Sequence, residues 1–217
     1  MDYFLAIDFD GTIADRDVTD AVLEQFAEPE WEFIEKQWEA GIFGSQECLR
    51  RQMALVKRPL TELLEFVSTI SIDPSFRAFV QFAQREKIPM AIISDGFEVF
   101  IQRILEQNGL QGLAVYANTL KEHEGAFMTS YPHNSPHCPS GTCKCQTAEV
   151  ISGGLPVYLI GDGRSDFCLA KQADFVYAKA KLVDFCEEEG LDYCVYRSFQ
   201  EIQQDLRVRQ KSQAGIA

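Results

Sequence analysis

The sequence has no excess of basic residues: 20 lysines and arginines stand against 33 aspartates and glutamates, and the formal net charge is -13. A protein that binds nucleic acid or anionic lipid through phosphate contacts needs a positive surface, so neither is an expected partner. Long hydrophobic runs are missing too. The first apolar run ends at Asp8 and follows no basic segment, which is too short for a signal peptide or a membrane span. We therefore expect a cytoplasmic protein.

Internal repeats and low-complexity segments are also missing, which excludes fibrous and repeat architectures. With 46% hydrophobic and 24% charged residues, the composition is that of a globular protein. The seven cysteines are an odd number in a chain too long to need disulfides, so we expect reduced thiols. A length of 217 residues fits one core of about 150 residues with a smaller inserted unit.

Short apolar runs predict buried strands over residues 3–8, 88–94, 157–161 and 175–177. Helical spacing of apolar residues predicts helices over 75–86, 98–107, 145–152, 164–172, 180–189 and 199–208. Fully apolar strands that alternate with helices are typical of a parallel sheet covered on both faces. We predict an α/β fold with a doubly wound, Rossmann-like parallel sheet, and a hairpin within residues 113–130.

The region after the first strand differs from the rest, because about sixty residues there contain no strand-like run. Four short helices are predicted instead, over residues 17–26, 29–39, 45–55 and 60–70. We therefore predict a helical cap domain over residues 15–74, inserted into a core domain of residues 1–14 and 75–217.

Two pairs of carboxylates follow predicted strands. Asp8 and Asp10 are two residues apart, so the strand pleat sends both to one side, where one can attack while the other transfers a proton. Asp162 and Asp166 are four residues apart, on one face if a helix begins between them. Either pair alone also fits a turn or a helix start. Four such carboxylates would repel one another without a cation, and these oxygen ligands suit Mg²⁺.

Two further positions could hold a phosphate. Ser94 and Asp95 close the second predicted strand directly before a helix, whose backbone N–H groups attract anions. Lys144 lies near the start of the helix that leads to the 157–161 strand, where an ammonium group could neutralise a nucleophile and a phosphoryl oxygen. A lysine at a helix start has no such meaning by itself.

The haloacid dehalogenase superfamily of phosphatases has four motifs that this chain resembles in order: Asp8–Thr12, Ser94, Lys144 and Gly161–Asp166. The resemblance covers nearly the whole chain, and the helical insert is similar to the cap of phosphoserine phosphatases. Ile93–Phe97 and the cysteine-rich segment His137–Cys145 are similar to the 2-hydroxy-3-keto-5-methylthiopentenyl-1-phosphate phosphatases of methionine salvage.

The resemblance implies Mg²⁺-dependent hydrolysis of a small phosphorylated metabolite through an aspartyl-phosphate. It makes Asp8 the nucleophile and Asp10 the general acid and base, with Lys144 beside them. The implied phosphate-binding groups, in side chains or backbone, are those of Phe9, Gly11, Ser94, Asp95 and Lys144. The implied metal site comprises Asp8, the backbone carbonyl of Asp10, Asp162, and Asp166, which would steady the metal's waters or Lys144.

Three cap residues bear on the substrate. Phosphoserine phosphatases carry an arginine for the substrate carboxylate and a glutamate for its amino group, and these positions align with Gln52 and Asp17. Glutamine cannot pair with a carboxylate as arginine does, so phosphoserine ranks behind the methylthiopentenyl phosphate. Arg50 could still reach the substrate, although a charged helix residue is usually exposed. A phosphosugar mutase of the same fold is a further alternative.

A cluster of potential zinc ligands precedes and follows Lys144. His133, His137, Cys138, Cys143 and Cys145 lie within thirteen residues, which is enough for a structural zinc site. The spacing contains no CxxC pair, so the alternative is a reduced, cysteine-rich loop.

Overall fold

A seven-stranded sheet forms the centre of the molecule in the computed structural model, which describes residues 3–214, with side chains up to residue 210. The strands are β1 (Phe4–Ile7), β2 (Met90–Phe97), β3 (Val115–His123), β4 (Ala126–Ser130), β5 (Val157–Gly161), β6 (Phe175–Ala178) and β7 (Tyr193–Val195). They lie in the order β4-β3-β2-β1-β5-β6-β7. Every neighbouring pair is parallel except β3 and β4, which form an antiparallel hairpin. The predicted doubly wound α/β fold is confirmed.

Helices connect these strands. Within residues 3–214 the α-helices are α1 (Val18–Phe26), α2 (Trp31–Glu39), α3 (Ser45–Met53), α4 (Leu60–Val67), α5 (Phe76–Arg85), α6 (Glu98–Gln107), α7 (Lys144–Ile151), α8 (Phe167–Ala170), α9 (Lys181–Glu189) and α10 (Phe199–Ala214). None of the helices in the described residues is both long and apolar enough to cross a membrane.

One predicted helix is wrong, and one strand was not predicted. The single helix over residues 164–172 is instead a 3₁₀ turn over Arg164–Asp166 followed by the four-residue α8. The Asp166 carboxylate accepts hydrogen bonds from the backbone N–H groups of Asp162 and Gly163, which tightens the chain at this point. Strand β7 was not predicted, because it has only three residues and is partly exposed.

The sheet is buried on both faces, which explains why its strands are uninterrupted apolar runs. Along β1, Leu5 and Ile7 belong to one hydrophobic core, and the alternating residues Phe4 and Ala6 belong to the other. Alternation along a strand sends successive side chains to opposite faces, so both sets must be apolar.

The four helices α1–α4 lie between β1 and α5 in sequence, where the cap is predicted. The ends of this insert meet, since Ala14 pairs with Ile72 in an antiparallel bridge and the Asp73 N–H donates to the Ile13 carbonyl at 2.9 Å. The division into a cap of residues 15–74 and a core of residues 1–14 and 75–217 stays a prediction. Residues 1–2 and 215–217 of that core lie outside the described residues.

Candidate active site

The carboxyl ends of β1 and β5 are neighbours, and this brings the two predicted acid pairs together. Ile7 pairs with Ile160 in the parallel ladder, and the Asp8 N–H donates to the Ile160 carbonyl at 2.9 Å. Asp8 then follows β1, and Asp162 follows β5. Parallel strands place the residues that follow them at one edge of the sheet, which is where ligands bind in open α/β folds.

Lys144 lies between two of these carboxylates. Its Nζ is 2.6 Å from Asp8 Oδ1 and 2.7 Å from Asp166 Oδ1, and all three side chains are almost completely buried. Burial lowers the pKa of Lys144, but the charges of Asp166 and Asp8 outweigh it and raise that pKa above its ordinary value. The lysine is therefore a fixed positive charge at the first residue of α7.

Asp8 has the environment of a nucleophile held in place. Its Oδ1 accepts hydrogen bonds from Lys144 and from the Phe9 N–H, the latter at 2.7 Å. Burial and the charge of Asp166 raise the pKa of Asp8 well above its ordinary value, and Lys144 acts against both. A cation beside Asp8 would keep this carboxylate ionised.

Asp10 has the environment of an acid and base. Its Oδ1 accepts a hydrogen bond from the Val18 N–H at 2.9 Å, and its Oδ2 accepts one from Ser94 Oγ at 3.1 Å. Burial and the charge of Asp17 raise the pKa of Asp10 to about 7. A group with a pKa near neutrality can both donate and accept a proton during turnover.

Three carboxylates form the one candidate metal cluster found among the described residues: Asp8, Asp162 and Asp166 each offer an oxygen within 4.8 Å of the others. Burial and the charge of Asp166 raise the pKa of Asp162 to about 6, so a nearby cation would favour the ionised form of this carboxylate.

Two glycines leave room for this cluster. A Cβ on Gly11 would lie 2.3 Å from Asp162 Oδ2, and a Cβ on Gly161 would lie 2.4 Å from Asp166 Oδ2.

Asp166 and the backbone N–H groups of Phe9 and Gly11 form hydrogen bonds within the protein. Asp166 bonds to Lys144 through Oδ1 and to two backbone N–H groups through Oδ2, so it holds the lysine and the 3₁₀ turn. The Phe9 N–H donates to Asp8, and the Gly11 N–H donates to the Arg16 carbonyl at 3.3 Å. The phosphate-binding roles of Phe9 and Gly11 stay predictions.

Asp95 lines the cavity above the carboxylates, and its phosphate-binding role stays a prediction. Its carboxylate accepts hydrogen bonds from Ser45 Oγ at 2.5 Å, from the Thr142 N–H at 2.8 Å and from Asn118 Nδ2 at 3.1 Å. Burial raises the pKa of the Asp95 carboxyl group above its ordinary value. The Asp95 side chain joins helix α3 to the segment that leads to Lys144.

A cavity of about 550 Å³ extends from these carboxylates to the cap helices. Asp17, Asp20 and Glu35 line its cap side together with the ring of Trp38. Burial and the charge of Asp17 raise the pKa of Asp20 to about 8, and burial raises that of Glu35 as well. Asp20 and Glu35 were not predicted from the sequence, where they are two acids among 33.

Two of the three predicted substrate residues line the cavity, and the third does not. Asp17 and Gln52 line the cavity. Asp17 caps α1 by accepting a hydrogen bond from the Asp20 N–H, and the buried Gln52 donates to Glu35 Oε2 at 2.8 Å. Arg50 does not reach the cavity. Its side chain is 59% exposed and pairs with Glu47 on the outer face of α3.

The predicted His/Cys zinc set is not gathered at one point in the described residues. His137 is exposed, and the His133 ring packs edge-to-face on Tyr116, with 5.3 Å between ring centroids. Cys143 Sγ is 3.4 Å from Cys145 Sγ. Cys145 is in turn 3.4 Å from Cys168, a residue that the spacing in the sequence did not indicate.

Comparisons with known proteins agree with this geometry. The chain matches the profile of a protein family described as "Putative Phosphatase" over residues 3–182. A 2-hydroxy-3-keto-5-methylthiopentenyl-1-phosphate phosphatase of Bacillus cereus is 30% identical over 207 residues, which cover 93% of this chain and 94% of that protein.

Two solved structures share the fold. A haloacid dehalogenase family hydrolase from Salmonella enterica serovar Typhi superposes with a TM-score of 0.72 at 19% identity, covering 92% of this chain and 69% of the other. A phosphoserine phosphatase superposes with a TM-score of 0.69 at 20% identity, covering 94% of this chain and 98% of the other. The two solved structures show that the chain shares their fold, and the profile match and the Bacillus relative show that it belongs to the "Putative Phosphatase" family.

Proposed function

We propose that this phosphatase hydrolyses a small phosphomonoester with Mg²⁺ and through a covalent phosphoryl group on Asp8. The observation that carries the proposal is the buried arrangement of Lys144 between Asp8 and Asp166, together with Asp10, which Ser94 and the Val18 N–H hold in place. A phosphoryl transfer needs an oriented nucleophile, a proton donor for the leaving oxygen and positive charge around the phosphoryl oxygens.

The donor set fits Mg²⁺. Asp8 and Asp162 would hold the ion together with the backbone carbonyl of Asp10. Asp166 would support this site indirectly, because it pairs with Lys144. These are hard oxygen ligands, and Gly11 and Gly161 leave the carboxylates unobstructed. When bound, the ion neutralises the carboxylates and polarises the phosphoryl group.

The protein groups would divide the reaction into two steps. Asp8 Oδ1 is held by Lys144 and the Phe9 N–H, so we assign the attack on phosphorus to Oδ2. As the bond from phosphorus to the leaving oxygen breaks, Asp10 gives its proton to that oxygen. In the second step Asp10 takes a proton from the water that attacks the same phosphorus, and Asp8 is released. Lys144 and Ser94 would stabilise the charge on the phosphoryl oxygens.

The cavity bears on the leaving group. Asp17, Asp20 and Glu35 line its cap side. Gln52 lines it too, and by the resemblance to phosphoserine phosphatases it aligns with their carboxylate-binding arginine. Arg164 lines the cavity too, but its guanidinium donates to the Glu39 carbonyl at 2.8 Å and lies over the Trp38 ring. An uncharged leaving group that donates hydroxyl protons suits these walls better than a carboxylate does. We therefore propose 2-hydroxy-3-keto-5-methylthiopentenyl-1-phosphate, the compound named in the Bacillus relative, over phosphoserine.

A substrate panel tests this proposal. Phosphate release is measured for the methylthiopentenyl phosphate, phosphoserine, sugar phosphates and nucleotides, each with Mg²⁺ and with a chelator. We expect Mg²⁺-dependent release with the highest kcat/KM on the methylthiopentenyl phosphate, and no release by Asp8→Asn. Asp192→Asn, which changes an exposed carboxylate, is the matched control and should retain full activity. Preference for phosphoserine would contradict the substrate assignment alone. Turnover by Asp8→Asn would contradict the mechanism.

A phosphosugar mutase is distinguished by the fate of water oxygen. A hydrolase in ¹⁸O-labelled water releases phosphate that carries one labelled oxygen per turnover. A mutase returns the phosphoryl group to a sugar, so no labelled phosphate accumulates. We expect labelled phosphate.

A further inference from the structure

Four thiols from three separate segments lie near one another around Lys144. Cys138 comes from the loop before α7, Cys143 and Cys145 flank Lys144 itself, and Cys168 belongs to α8. Cys143 Sγ is 3.4 Å from Cys145 Sγ, and Cys145 Sγ is 3.4 Å from Cys168 Sγ. The Cys138 thiol also affects the pKa of Cys143 through a hydrogen bond and that of Cys168 through its charge.

The phosphatase mechanism uses none of these thiols. Thiols are weak hydrogen-bond donors, so contacts among them alone give little reason for four to converge. Cys143 is 2% exposed, whereas Cys138, Cys145 and Cys168 are half-buried, so the row reaches the surface at one side and an ion could enter there. A disulfide would use only two of the four sulfurs.

The spacing is close to that of a tetrahedral thiolate site. Zinc–sulfur bonds of about 2.3 Å place neighbouring sulfurs about 3.8 Å apart. The Cys143–Cys145 and Cys145–Cys168 Sγ–Sγ distances of 3.4 Å are near this value. No three of these sulfurs lie within 4.8 Å of one another among the described residues, so binding an ion requires the side chains to turn toward a common point. Cys138 lies in an irregular loop that permits this.

We propose that Cys138, Cys143, Cys145 and Cys168 bind a structural zinc ion. The four thiols give up their protons to solvent as the thiolates coordinate, with no change in oxidation state. This ligand set replaces the one drawn from the sequence, because His137 is exposed and His133 packs on Tyr116. The site goes beyond the phosphatase reaction.

The position of this site gives it a structural role. Cys143 and Cys145 fix the backbone on either side of Lys144, and Cys168 lies two residues after Asp166. The ion would therefore connect the start of α7, which supplies Lys144, to α8, which directly follows the 3₁₀ turn that supplies Asp166. We expect it to hold this pair at its 2.7 Å separation.

Metal analysis of the purified protein tests the proposal. We expect about one zinc per chain after purification without chelator, and its release when an organomercurial blocks the thiols. Cys145→Ser and Cys168→Ser should each lose most of this zinc. Cys194→Ser, which changes another half-buried free cysteine outside the row, should keep it. Asp8→Asn should keep it as well, which separates this site from the Mg²⁺ site.

Cobalt substitution gives a second readout that does not depend on how well the serine variants fold. Refolding the wild-type chain with Co²⁺ should produce the intense visible bands of tetrahedral cobalt and a thiolate charge-transfer band in the ultraviolet. The proposal is overturned if the wild-type protein holds no zinc and gives no such spectrum, if Cys168→Ser keeps full zinc content, or if Cys145 and Cys168 are found as a disulfide.

Discussion

Replacing Lys144 by methionine removes the buried positive charge between Asp8 and Asp166 while keeping a side chain of similar length. The ammonium group lies 2.6 Å from one carboxylate and 2.7 Å from the other, and the exposed fractions of all three side chains are 4% or less. Removing one partner of a buried pair leaves an uncompensated charge, which costs about 3–5 kcal/mol. We expect the free energy of unfolding of Lys144→Met to fall by this amount in Mg²⁺-free buffer.

The matched control is Lys171→Met. Lys171 pairs with Glu189 at the same 2.7 Å separation, but the side chains are 50% and 41% exposed. An exposed pair contributes about 0–1 kcal/mol, so this control should be nearly neutral. Urea titration followed by fluorescence measures both variants, and equal slopes against denaturant show that the unfolded states are comparable.

Activity gives the second half of this prediction. Loss of one charge stabiliser at a reacting centre lowers kcat roughly 10²–10³-fold. We expect this loss in Lys144→Met and wild-type kcat in Lys171→Met. Equal losses of stability in the two variants, or full activity of Lys144→Met, would refute the buried charge as the reason for either effect.

Three further substitutions test the packing around the site. Gly11→Ala places a Cβ 2.3 Å from Asp162 Oδ2, so phosphate release by this variant should need a higher Mg²⁺ concentration. The control Gly125→Ala is also at a positive φ, but the space around its Cβ is open, so it should behave as wild type. Ser45→Ala removes the hydrogen bonds to Asp95 and from the Gly141 N–H, and should lower the free energy of unfolding by about 1–3 kcal/mol in urea titration. Ser68→Ala removes a hydroxyl that donates to the nearby Glu65 carbonyl, so it should cost less, and the reverse order would contradict the connection through Asp95. Phe199→Ala should lower the free energy of unfolding, measured by thermal denaturation, by about 3–5 kcal/mol because the Phe199 ring is fully buried. Phe33 is exposed, so Phe33→Ala should be neutral. Similar losses in the two variants would contradict this assignment of the core.

The sequence predicts the sheet and the carboxylate centre because both rest on local patterns. β1 is an uninterrupted apolar run since both of its faces are buried, and Asp8 and Asp10 follow it directly. The parallel order of the strands then brings Asp162 to Asp8 with little freedom. The short β7 was missed because its three residues are partly exposed and have no such pattern.

The cap could not be predicted to the same depth. Whether a cap residue faces the cavity depends on how α1–α4 pack on the core, which no local pattern fixes. Arg50 and Gln52 lie two residues apart on α3, yet one is exposed and the other lines the cavity. Asp95 illustrates the same point, since its partners come from positions 45, 118 and 142, far apart in the sequence.

The central claim, that Asp8 carries the phosphoryl group, is tested most directly by trapping that group. The enzyme is mixed with Mg²⁺ and p-nitrophenyl phosphate, quenched during turnover and treated with borohydride, which reduces an acyl phosphate to an alcohol. We predict homoserine at position 8 in the peptide mass spectrum of the wild-type enzyme, and none in enzyme quenched without substrate. Unmodified aspartate at position 8 together with a reduced residue at position 10 or elsewhere would contradict the account.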